Sequence, residues 1–148
     1  MSDHPLQRTP SQRIVCILFW LLFMAWTYAL EMPVVESVTS LLGGFWSFVL
    51  AKSLHLGVFA TIMMLGLYWP VTIRGRWAIM ALLSFHAAAT ELFQYLLNAY
   101  CHRHGCVQDV LIDHAGLTIG AAIYFGVTYL AKTRRNGIGE KAECLGPV

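Results

Sequence analysis

Four stretches of this chain are too apolar, for too long, to belong to a water-soluble domain, and they limit what the rest can be. Residues 14–30 are apolar apart from Thr27 and the hydroxyl of Tyr28, and residues 54–71 are broken only by His55 and Thr61. Residues 77–100 are interrupted by Ser84, His86, Thr90, Glu91, Gln94 and Asn98, while residues 110–131 carry Asp113 and His114 near their start. A helix of ~20 residues crosses a hydrocarbon core about 30 Å thick. Barrel strands are shorter and alternate in polarity, so the continuous runs argue for helices. Composition agrees: 57% of the 148 residues are hydrophobic and 12% charged, where a soluble domain carries roughly a quarter charged residues.

A fifth run, residues 38–50 (VTSLLGGFWSFVL), is short and holds Gly43-Gly44. Apolar runs of ~10–14 residues lie in the interface more often than they span. The expected fold is therefore an all-α membrane protein. Four transmembrane helices form a compact bundle over residues 1–131, with a short interfacial segment between helices 1 and 2. Residues 132–148 are polar and basic and are expected to form a disordered tail. The first span is long for a signal peptide, and no clear small-x-small cleavage site follows it before Glu31-Met32-Pro33, so it reads as a retained anchor.

The formal charge of +2 is too small to argue for a nucleic-acid partner, but its distribution orients the chain. Arg8 and Arg13 precede the first span, Arg74 and Arg76 link the second to the third, and Lys132, Arg134, Arg135 and Lys141 follow the fourth. Four spans put these on one side, so the positive-inside rule makes both termini cytoplasmic. Lys52 and Arg103 fall outside.

The informative residues are polar groups inside the apolar runs. An ionisable side chain at a span centre costs roughly 2.5–3.5 kcal/mol on insertion scales and needs a partner or a wet cavity. Glu91 and Gln94 are three apart on the third span, and Lys52 and His55 are three apart at the outer start of the second. Asp109 and Asp113 are four apart at the start of the fourth, on a face that continues through Gly116 and Gly120. Arg103 lies in the intervening loop. Residues at such spacings share a helix face, so three helices and a loop converge on the outer third of the membrane. Polar contacts between spans often serve only as glue, worth roughly 0.6 kcal/mol each. Seven such groups at one depth favour a binding pocket for an anionic or hydroxylated headgroup.

As an enzyme, the site would use Glu91 and His55 in proton transfer and Arg103 as an anion fork. Thr90 and Ser84 are the nearest hydroxyls in sequence. Paired Asp109 and Asp113 are a weak metal signal by themselves. Cys101-His-Arg-His-Gly-Cys106 matches no usual zinc spacing. A Cys101–Cys106 disulfide or free thiols suit that loop better, so neither a metal nor another cofactor is expected. His86 and His114 read as packing or hydrogen-bonding residues. Phosphate loops and hydrolase elbows are absent from the sequence.

The run Glu91 to Gly120, E-x2-Q-x8-R-x5-D-x3-D-x2-G-x3-G, resembles the C-terminal signature of VanZ-like membrane proteins. Lys52-Ser-Leu-His55 is similar to that family's K-x2-H, and Ala29-Leu-Glu-Met-Pro33 suits its early Pro-containing turn. Asp113 stands where the family usually has Asn, Cys106 where an acid often occurs, and Ala51 where an acid usually precedes the Lys. The resemblance implies a multi-pass protein of the bacterial cytoplasmic (inner) membrane. It also implies a role in the cell envelope linked to resistance to the glycopeptide teicoplanin. The expected partners are membrane lipids, a cell-wall precursor or a glycopeptide. A transport role would require a homo-oligomer, since four short spans leave little room for alternating access.

Overall fold

The computed structural model describes residues 9–31, 36–70, 72–96 and 107–144, with side chains described except in 36–42 and 137–144. Four helices make up the described chain: α1 (Pro10–Glu31), α2 (Glu36–Tyr68), α3 (Ile73–Leu96) and α4 (Val107–Cys144). The start of α1 follows from local chemistry. Gln12 N–H donates to Thr9 Oγ1 at 3.3 Å and Thr9 N–H donates to Gln12 Oε1 at 2.9 Å, a capping box with Pro10 at the first helical position. Thr72 caps α3 in a similar way, accepting from Gly75 N–H at 3.1 Å.

α2 is broken at Gly43, where φ is +71° and ψ 154°. That left-handed conformation is open to glycine at little cost. From Gly44 the helix runs without interruption to Tyr68. Residues 44–50, expected as part of a separate interfacial segment, are therefore the first two turns of the second helix. After Gly44 the run contains neither Pro nor another Gly before Gly57, so nothing interrupts the helix again there. At the other end α4 continues past Ala131, where Lys132, Arg134 and Arg135 extend it as good helix formers.

Contacts fix the helix directions. Gly116 of α4 lies against Leu56 of α2 and Gly120 against Ala60, so α2 and α4 run parallel. They also share the most extensive helix–helix interface. Chain continuity then needs α3 to return between them. Its Ile79 meets Gly66 of α2, its Ser84 bonds His114 of α4, and its Arg76 lies over the Tyr124 ring at 5.5 Å. α1 runs alongside α3, pairing Thr27 with His86 and Leu30 with Gln94. Phe19, Phe59, Ile62, Met63, Leu67, Ile79, Leu83 and Leu117 form the buried core.

Three helices among the described residues are long and apolar enough to cross a membrane: Pro10–Glu31, Gly43–Tyr68 and Val107–Asn136. α3 has the length, 24 residues, but carries Arg74, Arg76, Glu91 and several neutral polar groups. Large apolar side chains face outward on every helix, including Leu21, Phe48, Phe85 and Tyr129. A monomer in water rarely shows so continuous an apolar surface; lipid is its natural solvent.

Candidate functional site

The close approach of α2 and α4 organises the site. A Cβ placed on Gly116 would lie 2.5 Å from Leu56 O, and one on Gly120 2.3 Å from Ala60 O. Only glycine lets the two backbones meet at this separation, the usual role of small residues between membrane helices. The same face of α4, extended toward its N-terminus, carries Asp113 and Asp109. Helical phase thus brings Asp113 to His55 and Asp109 to Lys52.

His55 Nδ1 lies 2.8 Å from Asp113 Oδ1, and Lys52 Nζ forms an ion pair with Asp109 Oδ1. The two pairs are stacked about one turn apart. The outer one is half-buried, its side chains 22% and 15% exposed, while the inner Asp113 is wholly buried. Lys52 also lies 5.2 Å from the centre of the Phe48 ring, within cation–π range. Glu91, buried at 4% exposure on α3, completes the inner layer. One ligand atom each from His55, Glu91 and Asp113 lie within 4.8 Å of one another.

The sequence reading named seven site residues. Among the described residues the structure joins His55, Glu91 and Asp113 in one cluster and places Lys52 and Asp109 directly over it. Gln94 is buried but bonds elsewhere: its Nε2 donates to Leu30 O at 2.9 Å. That carbonyl belongs to the last turn of α1. Arg103, the Cys101–Cys106 loop and the turn at Met32-Pro33 lie outside the described residues. The carboxylate pair weighed for a metal, Asp109 with Asp113, is divided between different partners in the structure.

Two other histidines tie helices together. Thr27 Oγ1 donates to Phe23 O at 2.8 Å, which uses its one proton, so His86 Nε2–H donates to that oxygen at 2.8 Å. His114 Nδ1–H donates to Val110 O at 2.8 Å and Nε2 sits 2.9 Å from Ser84 Oγ. Thr90 Oγ1 donates back to His86 O and Ala87 O. The hydroxyls of Thr90 and Ser84 are thus engaged outside the cluster. One neighbour escaped the sequence reading: Trp26, whose ring meets His55 edge-on with centroids 5.4 Å apart. A Trp in an apolar run gives no signal that separates it from core.

Removing half of the outer ion pair tests its weight. Lys52→Met leaves a half-buried carboxylate with its cation gone. The expected loss is about 1–2 kcal/mol, between the ~0.6 kcal/mol of an average interhelical polar contact and the ~3–5 kcal/mol of a broken buried pair. Lys52→Met with Asp109→Leu should recover most of it. Unfolding in mixed micelles by SDS titration measures both.

Helices of this length and polarity, with ionisable groups held between them, define a membrane protein built around an interhelical polar cluster. The VanZ/LLP1 family model matches residues 13–130, and the chain belongs to that family. The match covers every described residue of the cluster. No curated protein and no solved structure matches the chain.

Proposed function

We propose that this VanZ-family protein is a four-span protein of the bacterial inner membrane that binds an anionic headgroup at the outer leaflet. The headgroup belongs to a phosphorylated lipid or lipid-linked cell-wall precursor. The observation that carries the reading is the stacked arrangement of Lys52–Asp109 over the buried His55, Glu91 and Asp113. A helix pair needing only glue would satisfy itself with a few neutral contacts, as His86 and Thr27 do. Here five ionisable residues from three helices gather in two adjacent layers, each expensive to insert. Lys52 is the most exposed of the outer pair and offers a cation to a phosphate that competes with Asp109.

The parallel α2 and α4 support a crossing α3: the chain has to return between their starts, and 24 residues at 1.5 Å supply about 36 Å. The polar groups that lower its hydropathy include Thr90, Glu91 and Gln94, and all three are buried. The basic residues Arg74, Arg76, Lys132, Arg134 and Arg135 then share the cytoplasmic end, opposite the cluster. A membrane-impermeant thiol reagent applied to intact cells should label the Cys101–Cys106 loop after reduction and miss Cys144. The reverse pattern would invert the topology and put the cluster in the cytoplasmic leaflet.

The binding test is lipid capture. Protein extracted in mild detergent should co-purify with one anionic lipid or precursor class by mass spectrometry, and Lys52→Ala should lower that enrichment at least roughly tenfold, about 1.4 kcal/mol. An identical lipid profile for wild type and variant sinks the headgroup reading. Teicoplanin challenge of cells carrying either form tests the glycopeptide role separately.

A further inference from the structure

We infer that His55, Glu91 and Asp113 form a binding site for a single first-row divalent cation such as Zn2+ or Mn2+. One ligand atom from each lies within 4.8 Å of the other two, so a point between them is at most about 2.8 Å from each atom. Metal–nitrogen and metal–oxygen bonds are ~2.0–2.2 Å. Small side-chain rotations close that gap, and the three residues come from three different helices, so each adjusts independently of the others.

The donors point the same way. Asp113 is wholly buried, and while its Oδ1 engages His55, its Oδ2 has no hydrogen-bond partner among the described residues. A buried carboxylate oxygen with a vacant acceptor position is costly unless something positive meets it. Dications do so without the directional demands of a hydrogen-bond donor. One imidazole nitrogen with two carboxylates is a borderline donor set that suits Zn2+, Mn2+ or Fe2+. Mg2+ prefers oxygen ligands and retains several waters, which fits a buried mixed site poorly. The only described cysteine side chain, Cys16, is on α1 and outside the cluster, so the described donors are one imidazole and two carboxylates.

The position also suits a phosphate-binding protein. A cation beneath Lys52 would add a second positive centre facing a headgroup entering from the outer leaflet. The proposal thus rests on the cluster being a binding site, but metal content and lipid capture are read out separately.

The test uses full-length protein in detergent, purified on a tag without histidines, loaded with Zn2+ or Mn2+ and desalted. Elemental analysis should find about one equivalent in wild type and far less in Asp113→Ala and Glu91→Gln. Added metal should raise the thermal midpoint of wild type by several degrees and leave both variants unmoved. Ser84→Ala, outside the cluster, should keep the metal and the shift. Should Asp113→Ala fail to accumulate, Glu91→Gln and His55→Gln carry the comparison. Wild type without stoichiometric metal, or variants that retain it, would overturn the site. Metal bound without lipid enrichment keeps the cation and defeats only the headgroup reading; lipid enrichment without metal does the opposite.

Discussion

Gly120→Ala is expected to destabilise this protein by about 2–3 kcal/mol, whereas the same substitution six residues later, Gly126→Ala, is expected to be neutral or to stabilise by up to ~1 kcal/mol. The contrast isolates packing from helix propensity. At Gly126 nothing lies within 4 Å of the added methyl, so only the intrinsic advantage of alanine remains. At Gly120 the methyl would meet Ala60 O at 2.3 Å and Ala60 C and Cα at 3.0 Å. Those are backbone atoms of a long helix and have no rotamer to escape into. α4 must move away from α2 as a unit, and the parallel register that aligns His55 with Asp113 loosens with it. Gly116→Ala should behave similarly, since its methyl would meet Leu56 O at 2.5 Å. SDS-titration unfolding of the four proteins gives the order. A Gly120→Ala protein as stable as wild type would mean that the α2–α4 interface is looser than its geometry shows.

Much of this architecture is legible in the sequence because membrane insertion is governed by local composition. Long apolar runs identify α1, α2 and α4, and spacing alone puts Asp109, Asp113, Gly116 and Gly120 on one face. α3 is harder. Glu91 and its polar neighbours lower its hydropathy, and only the parallel α2 and α4 supply the reason for it to return across the same distance. The start of α2 is hard to place for a related reason: Gly43-Gly44 announces a break, but not that the helix resumes at once and carries Phe45, Trp46 and Phe48 in its first turns. For the site, the sequence points to residues of which the structure gathers His55, Glu91 and Asp113, with Lys52 and Asp109 beside them. It does not identify their partners, because a pairing such as Lys52 with Asp109 depends on the axial offset of two helices 57 residues apart. That offset is set by where Gly116 and Gly120 seat on Leu56 and Ala60. Gln94 shows the same gap: no spacing rule reveals that the end of α1 supplies it with a carbonyl.

Glu91→Gln is the substitution expected to separate function most cleanly from folding. Glu91 is 4% exposed, and glutamine nearly matches its volume, so the core of Leu83, Ala87 and Thr90 on the same helix should keep its packing. The amide is also cheaper to place in a membrane than a carboxylate. Expression and membrane insertion should therefore equal wild type, with unfolding stability unchanged or slightly raised. What the amide lacks is a negative charge and the ability to ligate a cation strongly. If the cluster binds an anionic headgroup through a charged, correctly aligned set of side chains, capture should fall at least roughly tenfold. The same cells should then show a shift in one class of envelope lipid or wall precursor, in the direction seen on deleting the protein. A variant that inserts normally, captures lipid normally and leaves the envelope unchanged would reduce Glu91 to interhelical glue, and with it the case for any ligand at this depth.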